Sequence, residues 1–394
     1  MSLNNVVSAE RLHIGFFGLR NAGKSSLVNA VTGQKLSLVS DVKGTTTDPV
    51  SKAMELLPLG PVVITDTPGI DDEGILGEMR VERAKQILSK IHIAVLVTDA
   101  TTPFSAEEKE LVDSFKAKNI SFIIAKNKCD LLNEIPRLEQ NEIYVSAVNG
   151  TNINTLKEKI AALSATAKQD KKILADIVNA GDSVVLVIPI DESAPKGRLI
   201  LPQQQTIREL LEIGATTVVV KPSELESALD RFKTPPKLVI TDSQAFGAVS
   251  KMVPDDILLT SFSILFARYK GDLEMLVGGA KALDNLKDGD TLLISEGCTH
   301  HRQCKDIGSV KIPNWVKKHS GKELKFEFTS GGEFPADLSK YAMVIHCGGC
   351  MLNEREMQSR LKTATDGGIP ITNYGTAIAH MHGILKRSIE PFEK

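Results

Sequence analysis

Two stretches at opposite ends of the chain carry residue types whose spacing can do chemistry. The first, GLRNAGKS at 18–25, fits G-x-x-x-x-G-K-S/T between a strand-like run and a helix-like one. Gly18 and Gly23 let the backbone curl so that its N–H groups face phosphate oxygens, and the helix N-terminus adds favourable partial charge. Lys24 then reaches the β- and γ-phosphates, and the Ser25 hydroxyl ligates Mg²⁺. The expected phosphate-binding set is Asn21, Ala22, Gly23, Lys24, Ser25 and Ser26. The second stretch, HCGGC at 346–350, ends an apolar run and opens a helical pattern beginning near Met351.

Three companions give the first stretch its meaning. DTPG (66–69) ends a strand, so that Asp66 can hold Mg²⁺ through water and the Gly69 N–H can sense the γ-phosphate. NKCD (127–130) ends another. There Asn127 counts among the nucleotide-binding residues, Lys128 can lie across the base, and the Asp130 carboxylate can accept from guanine N1 and N2, a donor pair that adenine lacks. Ser146 and Ala147 follow the next strand and offer a backbone N–H to guanine O6. All four in this order specify GTP or GDP with Mg²⁺. Cys129 is the variable position of NKCD.

The second stretch has a partner in SEGCTHHRQC (295–304), which also follows a strand. The pattern is Cys298-x-His300, 45 intervening residues, then His346-Cys347-x-x-Cys350. Ligand sites in open parallel sheets lie beyond the carboxyl ends of strands, so the two clusters can meet in one crevice. Zinc in a Cys₃His site is one reading, weakened because Cys298-Thr-His300 is not a tight knuckle. A thioredoxin-like dithiol is another, but it leaves Cys298 and the histidines unused. A [4Fe–4S] cluster uses more of the set: Cys298, Cys347 and Cys350 bind three irons, while Gly348 and Gly349 bring backbone N–H groups to the sulfurs. The fourth iron is then left to His300, His346, Glu296, Cys304 or water. Cys304 also reads as a spare thiol and His301 as a solvated or hydrogen-bonded residue. The residues alone establish a metal site and favour a cluster over zinc.

The elements that must position these groups alternate. Residues 11–165 run strand, helix, strand through RLHIGFFG, GKSSLVNAVTG, VVITDTPG, IAVLVTD, SFIIAKNK and EIYVSA, which implies a parallel sheet flanked by helices. The charged KQDKK (168–172) marks a boundary. A second α/β stretch follows, with SVVLVIPI (183–190), TTVVV (216–220) and KLVIT (237–241) as strands, and no charged or metal-binding constellation. It reads as a structural or dimerisation domain. The last segment has strands DTLLIS (290–295) and YAMVIH (341–346). The expected domains are 1–168, 172–261 and 262–394.

Composition sets bounds. Of 394 residues, 47 are Lys or Arg and 49 Asp or Glu, so no overall field favours nucleic acid or an anionic membrane. The N-terminal sequence lacks the pattern of a secretory signal, and the apolar runs are too short to span a bilayer. Five cysteines, four of them in the last quarter, argue against a secreted disulfide framework. A soluble cytoplasmic protein is expected.

Two resemblances add to this. VKGTTTDP (42–49) resembles the G-T-T-x-D run of the translation-factor-like GTPases of the tRNA-modifying and Era-like group. That likeness assigns Thr46, among Thr45, Thr46 and Thr47, to Mg²⁺ and the γ-phosphate. Lys24, Thr46, Asp66 and Gly69 are then the expected catalytic set, with Ser25 and Thr46 on Mg²⁺. Ile70 stands where Ras-like enzymes carry a water-orienting Gln. Asn21 occupies the position at which potassium-activated members of the group help bind K⁺, so slow, K⁺-stimulated hydrolysis is expected. The chain as a whole resembles the [FeFe]-hydrogenase maturation GTPases, through the metal motif and through APKGRLILPQQQTIREL, TSFSILFARYKGDLE and ITNYGTAIAHMHGIL. The resemblance implies a P-loop GTPase domain, a small α/β dimerisation domain and an α/β domain with a [4Fe–4S] cluster on Cys298, Cys347 and Cys350, completed by His300, His346 or another exchangeable ligand. It implies a homodimer that receives a di-iron precursor built with radical-SAM maturases and delivers it to apo-[FeFe]-hydrogenase. Cys304 is not part of the family motif. The alternative is an Era-like RNA- or ribosome-associated GTPase with a zinc module, which calls for a basic, aromatic-bearing surface that the tail lacks. A redox-sensing GTPase using Cys347 and Cys350 is a third reading. The absence of C-x₃-C-x₂-C excludes a radical-SAM enzyme.

Overall fold

The structure, a computed structural model, describes residues 8–34, 50–69, 86–137, 141–167, 171–190, 199–297 and 306–393. Contacts divide the chain into two compact units, Met1–Asp170 and Lys171–Lys394.

The first unit is built on a six-stranded sheet of β1 (Leu12–Phe17), β2 (Val50–Leu56), β3 (Gly60–Asp66), β4 (Ile93–Asp99), β5 (Ser121–Asn127) and β6 (Glu142–Tyr144), ordered β2-β3-β1-β4-β5-β6. All pairs are parallel except β2 with β3. The central strands are buried on both faces, which is why IAVLV reads as an unbroken apolar run rather than an alternating one. Helix α1 (Lys24–Thr32) turns Leu27, Val28 and Val31 into the core and stops at Gly33, whose φ of 66° favours glycine. Helix α2 (Ala106–Ala117) starts from a capping box in which Ser105 Oγ accepts the Glu108 N–H and Glu108 accepts the Ser105 N–H. Helix α3 (Ile153–Ala167) follows β6. The parallel register sets the ends of β1, β3, β4 and β5 along one edge: Phe16 pairs with Asp66, and Asp99 with Asn127.

The second unit holds two four-stranded parallel sheets. In one, β7 (Ser183–Val187), β8 (Thr216–Val220), β9 (Leu238–Thr241) and β10 (Leu258–Ser261) run in the order β10-β9-β7-β8, with helices α4 (Leu201–Ile213), α5 (Leu225–Leu229), α6 (Phe246–Met252) and α7 (Phe262–Lys270) between and after them. In the other, β11 (Thr291–Glu296), β12 (Lys325–Ser330), β13 (Met343–His346) and β14 (Ile371–Asn373) run β12-β11-β13-β14. Helices α8 (Leu273–Ala280), α9 (Ile312–Ser320), α10 (Glu354–Asp366) and α11 (Tyr374–Met381) flank it. The last helix, α12 (Leu385–Ile389), returns to the first of these sheets: the Thr260 hydroxyl donates to the Ser388 carbonyl, and Arg387 donates to the carbonyls of Ser250, Val253 and Pro254.

Helix α10 begins at Glu354, three residues beyond the start the sequence suggests. Asn353 is the reason: its side-chain oxygen accepts the Glu356 N–H and caps the helix, while Leu352 N–H closes a turn onto the Gly349 carbonyl. Among the described residues, no helix is long and apolar enough to cross a membrane.

Candidate functional site

In the first unit the four sequence motifs converge at the carboxyl edge of the sheet. Gly18 follows β1 with φ 145°, and a Cβ there would meet the Val97 carbonyl oxygen at 2.1 Å. Asn21 adopts φ 61°, the left-handed conformation that asparagine tolerates. Gly23 has φ 87°, and a Cβ would lie 2.3 Å from Asn127 Nδ2. Only glycine allows both the loop conformation and this approach of NKCD to the phosphate loop. The buried Lys24 places Nζ 3.0 Å from the Gly18 carbonyl and 2.7 Å from that of Leu19.

Ser25 Oγ donates to Asp66 Oδ2 at 2.7 Å, joining the first turn of α1 to the end of β3. The other carboxylate oxygen, Asp66 Oδ1, is buried with no hydrogen-bond partner. A hydroxyl beside a half-satisfied buried carboxylate suits a hard cation such as Mg²⁺ and its water. Asn127 Nδ2 donates to the Ala22 carbonyl at 3.0 Å, and its Oδ1 accepts the Ala147 N–H at 3.1 Å. This buried amide therefore ties the phosphate loop to the loop expected to read guanine O6. Lys128, at φ 66°, forms an ion pair with Asp99 at 2.5 Å. Burial works against the charge on Asp99, but hydrogen bonds from Lys128 and Thr101 outweigh it and hold the carboxyl below its usual range. Asp130 is exposed, Ser146 is fully buried, and Ser26 and Gly69 are half-buried. Thr45, Thr46, Thr47 and Ile70 lie outside the described residues.

In the second unit β11 and β13 are direct neighbours, with Ser295 paired to His346. Cys347 Sγ accepts the Gly297 N–H at 3.0 Å and the Gly349 N–H at 3.4 Å. Gly349 turns at φ 63° to make this possible. Burial pushes the Cys347 thiol up to about 11, against the pull of these two N–H groups. Burial raises Cys350 as well, and Lys270 opposes it. Two sulfurs that stay protonated alone, one of them already held by backbone donors, suit a cation that stabilises the thiolates, so the described part of the donor set fits a metal centre. Lys270 Nζ donates to the carbonyls of Cys350 and Leu352 at 3.0 and 2.8 Å and holds the turn from below. Cys298, His300, His301 and Cys304 lie outside the described residues; Gly297, immediately before Cys298, is the residue that reaches Cys347.

His346 is oriented differently from an open ligand. Its ring is fully buried, Nδ1 lies 2.7 Å from the Cys347 carbonyl, and Nε2 lies 3.0 Å from Arg360 Nη1. Both ring nitrogens are thus engaged within the protein. Glu296 is also buried, and its Oε1 accepts the Tyr374 hydroxyl at 3.2 Å. Arg360, Lys270, Tyr374 and Asp99 are site residues that sequence reasoning missed. Only Arg360 left a signal, as the i+4 partner of Glu356 on one helix face.

Comparison with known proteins follows the same division. Residues 13–128 match the family profile of the 50S ribosome-binding GTPases, so the first unit is a GTPase domain. Among curated relatives, GTPase Der of Wolinella succinogenes is 35% identical over 187 residues, covering 43% of this chain and 38% of that protein. The tRNA modification GTPase MnmE of Francisella tularensis subsp. novicida is 33% identical over 175 residues, covering 43% of this chain and 39% of that one. The chain thus spans less than half the length of these relatives. Era of Aquifex aeolicus bound to GDP and AlF₄⁻ aligns at 20% identity with a TM-score of 0.36, covering 61% of this chain and 97% of that one. Residues 173–271 match the hydrogen maturase F dimerization domain and residues 274–391 its tetramerization domain. Together these two profiles span more than half of the sequence and both of its second-unit sheets, and behind a GTPase domain they place the chain in the hydrogen maturase F family.

Proposed function

We propose that this chain is a GTP-binding and GTP-hydrolysing iron–sulfur scaffold. It receives a di-iron precursor made with radical-SAM maturases and passes it to apo-[FeFe]-hydrogenase in the cytoplasm. Its three domains are 1–168, 172–261 and 262–394, and it works as a homodimer through the middle one. The observation that carries the reading is the Cys347 sulfur receiving two backbone N–H groups at the ends of adjacent strands. That constellation sits in a chain whose other unit joins a phosphate loop to a guanine-reading loop through Asn127.

In the first unit, Lys24 neutralises the β/γ-phosphates, Ser25 and Thr46 ligate Mg²⁺, Asp66 holds it through water, and the Gly69 N–H registers the γ-phosphate. Asn21 helps place K⁺, and hydrolysis is slow and K⁺-stimulated. Equal rates in Na⁺ and K⁺ would remove that part. In the second unit, Cys298, Cys347 and Cys350 hold a [4Fe–4S] cluster, with His300, Glu296, Cys304 or solvent at the fourth iron. His346, with both nitrogens engaged, would have to break from Arg360 to serve there. A bound cluster would supply an anionic centre with one exchangeable position, held by Cys298, Cys347 and Cys350, with the Gly297 and Gly349 N–H groups donating to the Cys347 sulfur.

The test is iron, sulfide and zinc content after anaerobic reconstitution of the full chain, with EPR of the reduced protein. Samples carrying Cys298→Ala and Cys350→Ala run in parallel. The expected result is about four irons and four sulfides per chain with a reduced-cluster signal, lost in both variants. Stoichiometric zinc without a cluster would transfer the case to an RNA-associated GTPase with a zinc module.

A further inference from the structure

The second unit carries a cluster of metal-ligating side chains that shares no residue with the cysteine site. We propose that Asp284, His319 and His380 form a site for one divalent first-row transition-metal ion, of the class that prefers imidazole and carboxylate ligands.

The three residues come from three elements. Asp284 stands in the 3-10 turn Lys281–Asn285, His319 in the last turn of α9 and His380 in the last turn of α11. His319 Nε2 lies 2.8 Å from Asp284 Oδ1, and His380 Nε2 lies 3.0 Å from both Oδ1 and Oδ2. One ligand atom from each residue falls within 4.8 Å of the others. The rings meet edge to face with centroids 5.5 Å apart, so neither blocks the approach of the other's nitrogen.

Donor chemistry selects the class of ion. Two imidazoles and one carboxylate suit zinc, copper, nickel or ferrous iron, whereas calcium and magnesium want an all-oxygen shell. Three protein ligands leave room for water, as in open rather than closed zinc sites. Bonds of about 2.0–2.1 Å in a tetrahedral shell put ligand atoms roughly 3.3 Å apart, so the present contacts need to open by only a few tenths of an ångström. Nothing rigid resists this, because Asp284 and His319 are exposed and His380 is half-buried. The setting adds to the attraction: α9 and α11 both end here, and the unpaired carbonyls of a helix C-terminus favour positive charge.

A bound ion would tie the turn before β11 to two helices distant in sequence, so its effect on the fold is a clamp. Binding replaces the Nε2–H···O contacts with two Nε2–metal bonds and one O–metal bond: each Nε2 proton passes to solvent, and each neutral bound ring carries one proton on Nδ1, taken up from solvent where the free ring held none there. The proposal stands apart from the scaffold reading and survives the failure of that reading.

The test uses the full chain carrying Cys347→Ser and Cys350→Ser, with GDP and excess Mg²⁺ present, titrated with Zn²⁺ alone. The expected result is one zinc equivalent that Asp284→Asn, His319→Gln or His380→Gln weakens at least tenfold, with far-UV circular dichroism and GTP hydrolysis unchanged. If the cysteine variant does not fold, Co²⁺ titration of the natural chain reads the same site. The expected signal is a d–d component over and above the bands of any cobalt held by the cysteines, abolished by the same three substitutions while the sulfur-to-cobalt charge transfer is retained. Zinc or cobalt uptake that is identical with and without the three side chains would overturn the proposal. So would the absence of any metal bound outside the cysteines, which would leave Asp284 as a carboxylate hydrogen-bonded to two imidazoles.

Discussion

Arg360 Nη1 stands 3.0 Å from His346 Nε2, beneath the turn that carries Cys347 and Cys350. Because the guanidinium can only donate, Nε2 accepts and the ring proton resides on Nδ1, where it meets the Cys347 carbonyl. Burial, reinforced by the Arg360 charge, pulls the imidazole down to about 3, so the ring stays neutral. Arg360 also donates to Ser295 Oγ and the Gly331 carbonyl, and its charge is matched by buried Glu356 at 3.0 Å.

The first prediction concerns that pair. Arg360→Met takes the guanidinium away from the buried Glu356 carboxylate, and costs about 3–5 kcal/mol in urea unfolding. Arg360→Met combined with Glu356→Leu removes both charges and should cost clearly less than the two single losses added together. Simple additivity would mean the two residues stabilise the turn independently.

Adjacent glycines on α8 should respond with opposite sign. A Cβ on Gly279 would lie 1.9 Å from the Ile371 carbonyl oxygen, a backbone atom of β14 that cannot step aside. Gly279→Ala is expected to cost about 3 kcal/mol. A Cβ on Gly278 meets nothing within 4 Å, and Gly278→Ala should stabilise by about 0.5–1 kcal/mol through helix propensity. Thermal melts of the two variants distinguish close helix–strand contact from a general intolerance of alanine in this helix.

The parts of the fold with a strong local signal were legible in the sequence. β1, β3, β4 and β5 are near-continuous apolar runs, and α1 starts and ends at glycines whose backbone angles require them. β2 and β12 escaped notice because VSKAMEL and KFEFTS lie at sheet edges and alternate charge with apolar residues, which resembles loop. β14, three residues long, is defined by its pairing with β13 rather than by composition. At the sites, GLRNAGKS, DTPG, NKCD and HCGGC were readable because backbone geometry constrains neighbouring residues. Lys270 reaches Cys350 of the cysteine turn across 80 residues and Tyr374 reaches Glu296 at the end of β11 across 78, and no local pattern encodes such contacts.

Acid should expose the Asp99–Lys128 pair. The folded-state carboxyl is held below its ordinary value near 3.9, so in that window the unfolded chain binds more protons. The pair's contribution is therefore complete above the ordinary carboxylate range and is lost as pH falls through the depressed value. The stability difference between the natural chain and Asp99→Asn should be flat from pH 7 to about 5 and shrink below about 4. A difference that grows on acidification would assign Asp99 a partner other than a cation.

Asn127 and Asp130 belong to one motif but should fail in different ways. Asn127 does not need to touch the base, because its amide already joins the Ala22 carbonyl of the phosphate loop to the Ala147 N–H. Asn127→Ala breaks both bonds in a buried place and leaves a donor and an acceptor unmet, a loss of about 1.5–3 kcal/mol, or roughly 10- to 150-fold in nucleotide affinity. That loss acts through the shape of both loops, so GDP and inosine diphosphate should suffer equally. Asp130 is exposed in the 3-10 turn Cys129–Leu131 that follows β5, where its carboxylate is placed to meet the N1 and N2 donors of guanine. Inosine lacks the N2 group, so Asp130→Ala should weaken GDP far more than inosine diphosphate and bring the two close together. Equilibrium titration of both nucleotides against both variants separates positioning from base recognition. If Asn127→Ala penalised GDP alone, its role would move from joining the loops to reading the base.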